Sequence, residues 1–415
     1  MSQHVIVIGA GIVGASTALW LLRAGQRVTV IDRHGWGAGT SHGNGGVLAA
    51  AAMVPVTGPG LARKAPTMLF DSKFPLFLRW SYLPRLLPWL RKYLSYANDA
   101  DTQRIAGALA PIVSDAVTQH RALAEGTAAD AWLADSDYSY AYTSRAAFED
   151  DAYSWGLRAQ HGFTPEIREG DAAHAYAPSL ADDISFTATL KDHGYVRDPG
   201  GYVRALGEEV TSLGGTFLQA NVTDFDIDDD VFQAVMTDQG PVAADVAVLT
   251  TGAWSKSLMR RLGVHVPLES ERGYHIVFKG AKGGPDHPMM LAAGKFVATP
   301  MDEGLRCAGL VEFGGLDAGP SKAPFAFLRQ QAKAAFPRMT WEDEVEWQGH
   351  RPAPADSLPL IGEVRNSQIF TGFGHHHIGL TGGPKTGRIL SQLITGSMPN
   401  LDMTPYAPTR FASQQ

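Results

Sequence analysis

Cysteine is nearly absent from this chain: Cys307 is its single thiol in 415 residues. One thiol excludes a disulfide framework and fits a reducing compartment. It also removes most routes to a cysteine-bound metal, and no His/Cys spacing of the zinc type is present. Excess positive charge is missing too, since 35 Lys and Arg stand against 42 Asp and Glu for a net charge of −7. A nucleic-acid surface needs a basic stripe, so no nucleic-acid partner is expected. No apolar run reaches the about 18 residues that a membrane-spanning helix requires. The first strand pattern opens at His4, which leaves no place for a signal peptide. The expectation is a cytoplasmic chain long enough for two domains.

What the sequence does contain is organised around its first 46 residues. His4-Val-Ile-Val-Ile-Gly9-Ala-Gly11-Ile-Val-Gly14, followed by an apolar helical pattern and then Val28-Thr-Val-Ile-Asp32-Arg33, reads as strand, glycine turn, helix, strand. Gly9 permits the tight turn, Gly11 lets backbone approach a pyrophosphate, and Gly14 lets the helix lie close to the strand. The helix N-terminus offers unpaired N–H groups to phosphates. Asp32 is placed to accept hydrogen bonds from ribose hydroxyls. This unit alone leaves NAD and FAD open. A second glycine-rich loop, from Gly35 through Thr40, Ser41, His42, Asn44 and Gly45 to Gly46, tilts the choice, because its N–H groups and small hydroxyls can wrap a second dinucleotide half.

These residues, with others near the C-terminus, resemble the D-amino acid oxidase/dehydrogenase family of FAD-dependent amine oxidoreductases, and most closely its D-amino acid dehydrogenase-like members. The resemblance is strong at residues 4–48, 194–255, 269–278 and 347–390, and weak between about 60 and 190. It implies an α/β fold with a Rossmann-like FAD-binding domain, discontinuous in sequence (1–58, 194–258 and 346–415), and an α+β substrate domain on a mixed sheet (59–193 and 259–345). It further implies backbone contacts to the cofactor near Val222, Gly252 and Trp254, and a helix N-terminus at Gly374, Ile378, Gly379, Leu380 and Thr381 facing the flavin. Free N–H groups there would stabilise an anionic reduced ring. Arg33, beside Asp32, is counted with the cofactor residues.

For chemistry, the obvious need is a planar fork to hold a substrate carboxylate. Arg351 matches the arginine that plays this part in glycine-oxidase-like relatives; pairing with Asp356 or Glu346 is the structural alternative. Tyr274 and Arg272 are further carboxylate candidates, with sheet core or pairing to Glu269 and Glu271 as alternatives. His375 and His377 sit where the family contacts flavin and substrate, and a neutral imidazole can accept the amine proton. His42 is placed near the flavin ring or as a support of its loop. Family members carry Gly-His-Gly-His where this chain has Gly374-His375-His376-His377, so His376 replaces a glycine. Three consecutive histidines do not imply a metal, because neighbours along a chain point different ways. Cys307 precedes the Arg351 motif in a strand pattern, so FAD is expected to be non-covalent.

Residues 68–97 mix aromatics, including Phe70, Phe74, Trp80 and Trp89, with Arg79, Arg85, Arg91 and Lys92. Such a stretch either packs as helix on the substrate domain or rests on a membrane and passes electrons to quinone. Peripheral attachment to the inner face of the cytoplasmic membrane therefore stays open. From Thr102 to about Ala173 the alanine-rich pattern reads as helical, without a catalytic constellation. The expected reaction is oxidation of a D-amino acid or cyclic imino acid by FAD, with a quinone-linked chain or oxygen as acceptor. A glycine- or sarcosine-type oxidase and a flavin-binding subunit of a larger electron-transfer complex are the alternatives.

Overall fold

The computed structural model describes residues 2–63, 76–229 and 231–412. Three runs rich in Val and Ile, His4–Ile8, Arg27–Asp32 and Val246–Leu249, pair in parallel at the centre of a six-stranded sheet. The sheet order is Leu360–Glu363, Ile369–Phe373, Val246–Leu249, His4–Ile8, Arg27–Asp32, Thr216–Gln219, and only the first pair is antiparallel. Strand periodicity sends alternate residues to opposite faces. Val5, Val7 and Val30 meet the helices Ile12–Arg23, Pro199–Ser212 and Gly379–Ile394. Ile6, Ile8 and Ile31 meet a three-stranded meander, Val222–Asp228, Val231–Thr237 and Gly240–Ala243. Both faces are thus covered, as a parallel sheet requires. The first and last of these helices touch where Gly387 lies on Ser16: a Cβ there would stand 2.6 Å from the Ser16 backbone.

A nine-stranded mixed sheet forms the second layer system. Its order is Asp343–Pro354, Leu268–Lys279, Gly304–Phe313, Phe296–Met301, Met289–Leu291, Leu133–Tyr142, Phe186–Val196, Glu166–Glu169, with Leu76–Leu78 paired beside Gly304–Phe313. The helix Lys322–Ala335 seals one face by packing Phe325, Leu328 and Ala332 against Ile276, Phe278 and Leu305.

Two sequence expectations change here. The stretch carrying Arg351 does not return to the six-stranded sheet: Asp343–Pro354 is an edge strand of the larger one, paired along its whole length with Leu268–Lys279. The region 102–173 is helical over Asp99–Val113 and Ala116–Ala124 but then gives the interior strand Leu133–Tyr142. Its alternating Tyr138, Tyr140 and Tyr142 suit a pleated, half-buried surface, and this outweighs the alanine content around them.

The aromatic-basic stretch forms the helix Leu83–Ser95, which buries Leu86, Trp89 and Tyr93; Trp89 Nε1 donates to the Ala353 carbonyl at 3.0 Å. Trp80 and Leu87 face outward, 55% and 51% exposed. Phe70 and Phe74 lie outside the described residues. Among the described residues no helix is long and apolar enough to cross a membrane.

Candidate active site

A cavity of about 1110 Å³ opens between the two large sheets. It lies at the carboxyl ends of the parallel strands, where an α/β fold usually binds its ligand. Gly9 ends the first strand at φ +105°, and a Cβ there would press within 2.8 Å of the Thr250 carbonyl. Gly11 lines the cavity. Gly14 does not, because its work is packing: a Cβ would lie 1.8 Å from the Gly9 carbonyl. Asp32 is fixed by accepting from the Ala10 N–H at 2.9 Å and the His34 N–H at 2.8 Å. Lone pairs remain on both of its oxygens for ribose hydroxyls. Arg33 stacks on Trp254 at 4.2 Å, and both border the cavity beside Val222 and Gly252, the latter at φ +57° with open space where a Cβ would be.

The second glycine loop is held from the larger sheet. Arg306 is buried and donates to the carbonyls of His42 and Asn44, both at 2.9 Å; Thr299 Oγ1 donates to the Gly45 carbonyl at 2.7 Å. Thr40 Oγ1 donates to the His350 carbonyl at 2.8 Å, and Ser41 Oγ accepts from the Ile12 N–H at 3.0 Å. Thr40, Ser41, Asn44 and Gly45 therefore line the cavity. At the far side, Gly374 turns the chain at φ +85° after the Ile369–Phe373 strand, and the helix Gly379–Ile394 follows. No side chain caps that helix. N–H groups at Gly379, Leu380 and Thr381 are thus left toward the cavity that these residues and Ile378 border. Two glycine turns that no side chain would fit, a fixed carboxylate and an uncapped helix end form a cradle that fits a dinucleotide carrying a second ring system.

The chemistry-bearing centre is Glu271. It is 3% exposed, and three cationic or donor groups converge on its carboxylate. Arg351 Nη1 lies 2.9 Å from Oε1, His376 Nε2 2.7 Å from Oε2, and His377 Nε2 2.5 Å from Oε1. Burial works to raise the Glu271 carboxyl, but the His377 and His376 imidazoles beside it hold it well below the usual carboxylate range. His377, its side chain 41% exposed at the cavity, is pushed below the usual imidazole range by partial loss of solvation, against the opposing charge of Glu271. A ring that is neutral at pH 7 and donates Nε2–H to Glu271 presents Nδ1 as an acceptor.

Here the expectation that adjacent histidines diverge is overturned. His376 sits at φ +51°, in the left-handed region that favours glycine. The short turn His376–Ile378 brings both rings to one carboxylate with centroids 4.1 Å apart. The ligand atoms of Glu271, His376 and His377 all lie within 4.8 Å of one another, a spacing a metal ion could use. Arg351 already occupies Oε1 with a positive charge, which works against a cation there.

Several candidates turn out to be framework. The Tyr274 hydroxyl donates to Glu312 and receives the Ser321 N–H at 3.2 Å, so Tyr274 borders the cavity without offering its hydroxyl. Arg272 is fully buried and pairs with Glu312 at 2.9 Å. Strand alternation explains both, since Arg272 and Tyr274 face away from the guanidinium that covers Gly273, where a Cβ would stand 2.5 Å from Arg351 Cζ. His375 borders the cavity, but its Nε2 is tied to Thr386 Oγ1 at 2.9 Å and burial pushes the ring down to about 4. His42 does not line the cavity; its ring packs toward Trp347, with centroids 6.0 Å apart, and against Gly200. Cys307 is buried, and burial raises its thiol far above the usual range, away from the cavity wall.

Sequence reasoning misses four features. Glu271 reads from the sequence only as a partner of Arg272. Trp347 stacks on His275 at 5.1 Å and lies so close to Gly43 that a Cβ there would fall 1.8 Å from its ring. Tyr138 and Tyr140 line the cavity from the Leu133–Tyr142 strand, and Arg158 joins them from the helix Ala152–Gln160. The alternating tyrosines are the signal that points to the strand.

The sequence model of the FAD dependent oxidoreductase family, DAO, matches residues 4–393. A D-amino-acid oxidase from Bradyrhizobium diazoefficiens is 38% identical over 99% of this chain and 99% of its own length. A D-amino acid dehydrogenase from Helicobacter pylori is 26% identical over 95% of each. Among solved structures, glycine oxidase from Geobacillus kaustophilus superposes with a TM-score of 0.73 at 20% identity over 99% of each chain. L-proline dehydrogenase from P. horikoshii does so at 0.75 and 17%, covering 100% of this chain and 99% of that one. At these identities the structural likeness speaks for the fold.

Proposed function

The chain belongs to the DAO family of FAD-dependent oxidoreductases, and from that premise we propose that it oxidises D-amino acids at the α carbon. The product is an imine, which water hydrolyses to a 2-oxo acid and ammonia. The observation that carries this reading is the single buried carboxylate of Glu271 holding Arg351 and His377 side by side in the cavity that contains the dinucleotide cradle. Near-full-length similarity to a D-amino-acid oxidase and to D-amino acid dehydrogenases supports the substrate class.

Gly9, Gly11, Asp32, Ser41, Asn44 and the N–H groups of Gly379 to Thr381 are the residues that would hold FAD, which supplies the acceptor for the hydride from the substrate α carbon. The chain's own task is positioning. Arg351 has five N–H donors, of which Nη1 spends two on Glu271 and the Leu310 carbonyl and Nη2 one on the Gly309 carbonyl. The Nε and remaining Nη2 hydrogens form a side-on fork for a carboxylate. His377 Nδ1 takes the amine proton, and Glu271 stabilises the imidazolium that forms. Trp347, Val47 and Ala49 give the cavity an apolar lining beside this centre.

The test is anaerobic bleaching of the flavin absorbance by a panel of D-amino acids, cyclic imino acids, glycine and sarcosine. Rapid bleaching by D-amino acids is expected. Bleaching by glycine or sarcosine alone moves the reading to those amines, and no bleaching by any member overturns it in favour of an electron-transfer subunit. Admitting air then assigns the acceptor: fast recolouring means oxygen, and slow recolouring that a soluble quinone accelerates means a quinone-linked chain.

A further inference from the structure

Resting on the amino-acid reading above, we infer that the end of the cavity around Arg158 is a second anion subsite, and that the preferred substrate is a dicarboxylic D-amino acid whose side-chain carboxylate binds there.

Arg158 is 8% exposed. Its guanidinium lies between two aromatic faces, 4.8 Å from the Tyr140 ring and 4.6 Å from Trp155. Nη2 reaches the Tyr140 hydroxyl at 3.4 Å, whereas Nε and Nη1 have no hydrogen-bond acceptor. Among the described residues no carboxylate comes within ion-pair distance of it. Asp151 acts on it from farther away and is engaged with Tyr142, whose hydroxyl donates to it at 3.0 Å and itself receives Trp155 Nε1 at 2.9 Å. Arginine does not shed its proton in a protein, so this is a buried cation held by two aromatic faces and a distant Asp151, with no carboxylate in contact and two N–H donors left for an arriving anion. A second cation, Lys295, borders the same cavity without an ion pair among the described residues. At the other end Arg351 is already balanced by Glu271. Among the described residues Arg158 is thus a buried charge with no carboxylate in contact, three strand steps from the carbonyls that hold the α-carboxylate fork.

The spacing suits a two-carboxylate ligand. The Arg351 guanidinium bonds carbonyls of the Gly304–Phe313 strand. Three strand steps then lead through Phe296–Met301 and Met289–Leu291 to Leu133–Tyr142, which carries Tyr140. At about 4.8 Å per step the separation is roughly 14 Å. A four- or five-carbon dicarboxylic amino acid sets its carboxylates about 4–5 Å apart, and each guanidinium–carboxylate pair adds about 4 Å. The sum, about 12–13 Å, comes within about 2 Å of that strand separation.

The experiment compares kcat/KM of the holoenzyme for D-glutamate and D-aspartate with D-glutamine and D-asparagine, which match them in shape and lack the charge. The acids are expected to be favoured by about tenfold to a hundredfold, the range of a charged hydrogen bond. Arg158→Met is expected to remove that preference with the amides changed less than about threefold. Equal turnover of acid and amide by the unaltered enzyme overturns the subsite, as does an Arg158→Met loss that falls equally on both. Should Arg158→Met fail to fold, titration of the unaltered holoenzyme decides: glutarate and succinate are expected to perturb the flavin spectrum at about tenfold lower concentration than butyrate, and equal concentrations overturn the proposal. That titration needs no turnover, so it separates a wrong subsite from a wrong reaction.

Discussion

On the six-stranded sheet the cavity wall comes from chain neighbours: Gly9, Gly11 and Asp32 fall within 24 residues, and Thr40 to Gly45 follow at once. On the nine-stranded sheet the wall is a transverse row, Tyr140, Met290, Val297, Ala308 and Trp347, to which five strands contribute one residue each. The first wall presents mostly backbone, and at Gly9, Gly14 and Gly43 a side chain would collide with its neighbours. The second presents side chains, and its central ion pair joins residues 80 positions apart, Glu271 and Arg351. The first wall is thereby written locally, whereas the second is written in sheet register.

The sharpest break of the first wall is Gly14→Val. Its Cβ would stand 1.8 Å from the Gly9 carbonyl, and that atom is backbone within a tight turn. The helix must then move off the strand, and the phosphate-binding N–H groups move with it. Less than about one tenth of the flavin per chain should remain, read as absorbance of the purified protein, with a stability loss on the order of 3 kcal/mol or more in thermal melts. A fully yellow, equally stable variant would show that the close packing at this glycine is dispensable.

Next in size is Glu271→Gln on the second wall. The change leaves Arg351 without its counter-ion and sets an amide N–H against one of the two imidazoles in place of its acceptor oxygen. Stability should fall by about 3 kcal/mol, as for a buried pair that loses one member. Turnover should fall on the order of 10² because His377 loses the charge that stabilises its protonated form. KM for a D-amino acid should fall at the same time, since the freed guanidinium attracts a carboxylate more strongly. A parallel loss in kcat and KM separates this role from simple unfolding, which lowers kcat alone. If kcat is unchanged, the Glu271–His377 pair is framework and the proton leaves by another route.

The contrast between the walls also explains what the sequence discloses. Strand, glycine turn, helix and acidic strand end can be read from residues 4–33 because each part acts on its immediate neighbours. Arg351 and the histidine turn are legible by resemblance, but their common partner is not, because Glu271 meets them only through the pairing of Leu268–Lys279 with Asp343–Pro354 and the turn at His376. Arg158 is invisible for the same reason: an arginine on a short surface-like helix looks solvated until Tyr140 and Trp155 close over it. Tyr274 and His42 look like site residues in the sequence because nothing local shows that Glu312 and Ser321 take up the Tyr274 hydroxyl, or that the His42 loop, held by the buried Arg306, keeps the His42 ring off the cavity wall.

The smallest effect tests the left-handed turn that carries His376 from the six-stranded sheet to Glu271 on the other wall. At φ +51° His376 occupies a left-handed backbone conformation. That conformation costs a non-glycine residue about 1 kcal/mol. The imidazole offsets this by donating to a buried carboxylate at 2.7 Å. Such a charged hydrogen bond contributes about 1.5–3 kcal/mol. His376→Ala keeps the strain and discards the bond, whereas His376→Gly discards both. Thermal stability should therefore rank His376 first, Gly second and Ala last, with Gly above Ala by about 1 kcal/mol, an order opposite to the usual helical preference for alanine. Both variants should retain FAD, since His376 touches Glu271 and not the glycine cradle. If Ala equals Gly in denaturant melts, the backbone there is not held left-handed, and the convergence of the two imidazoles on one carboxylate needs another cause.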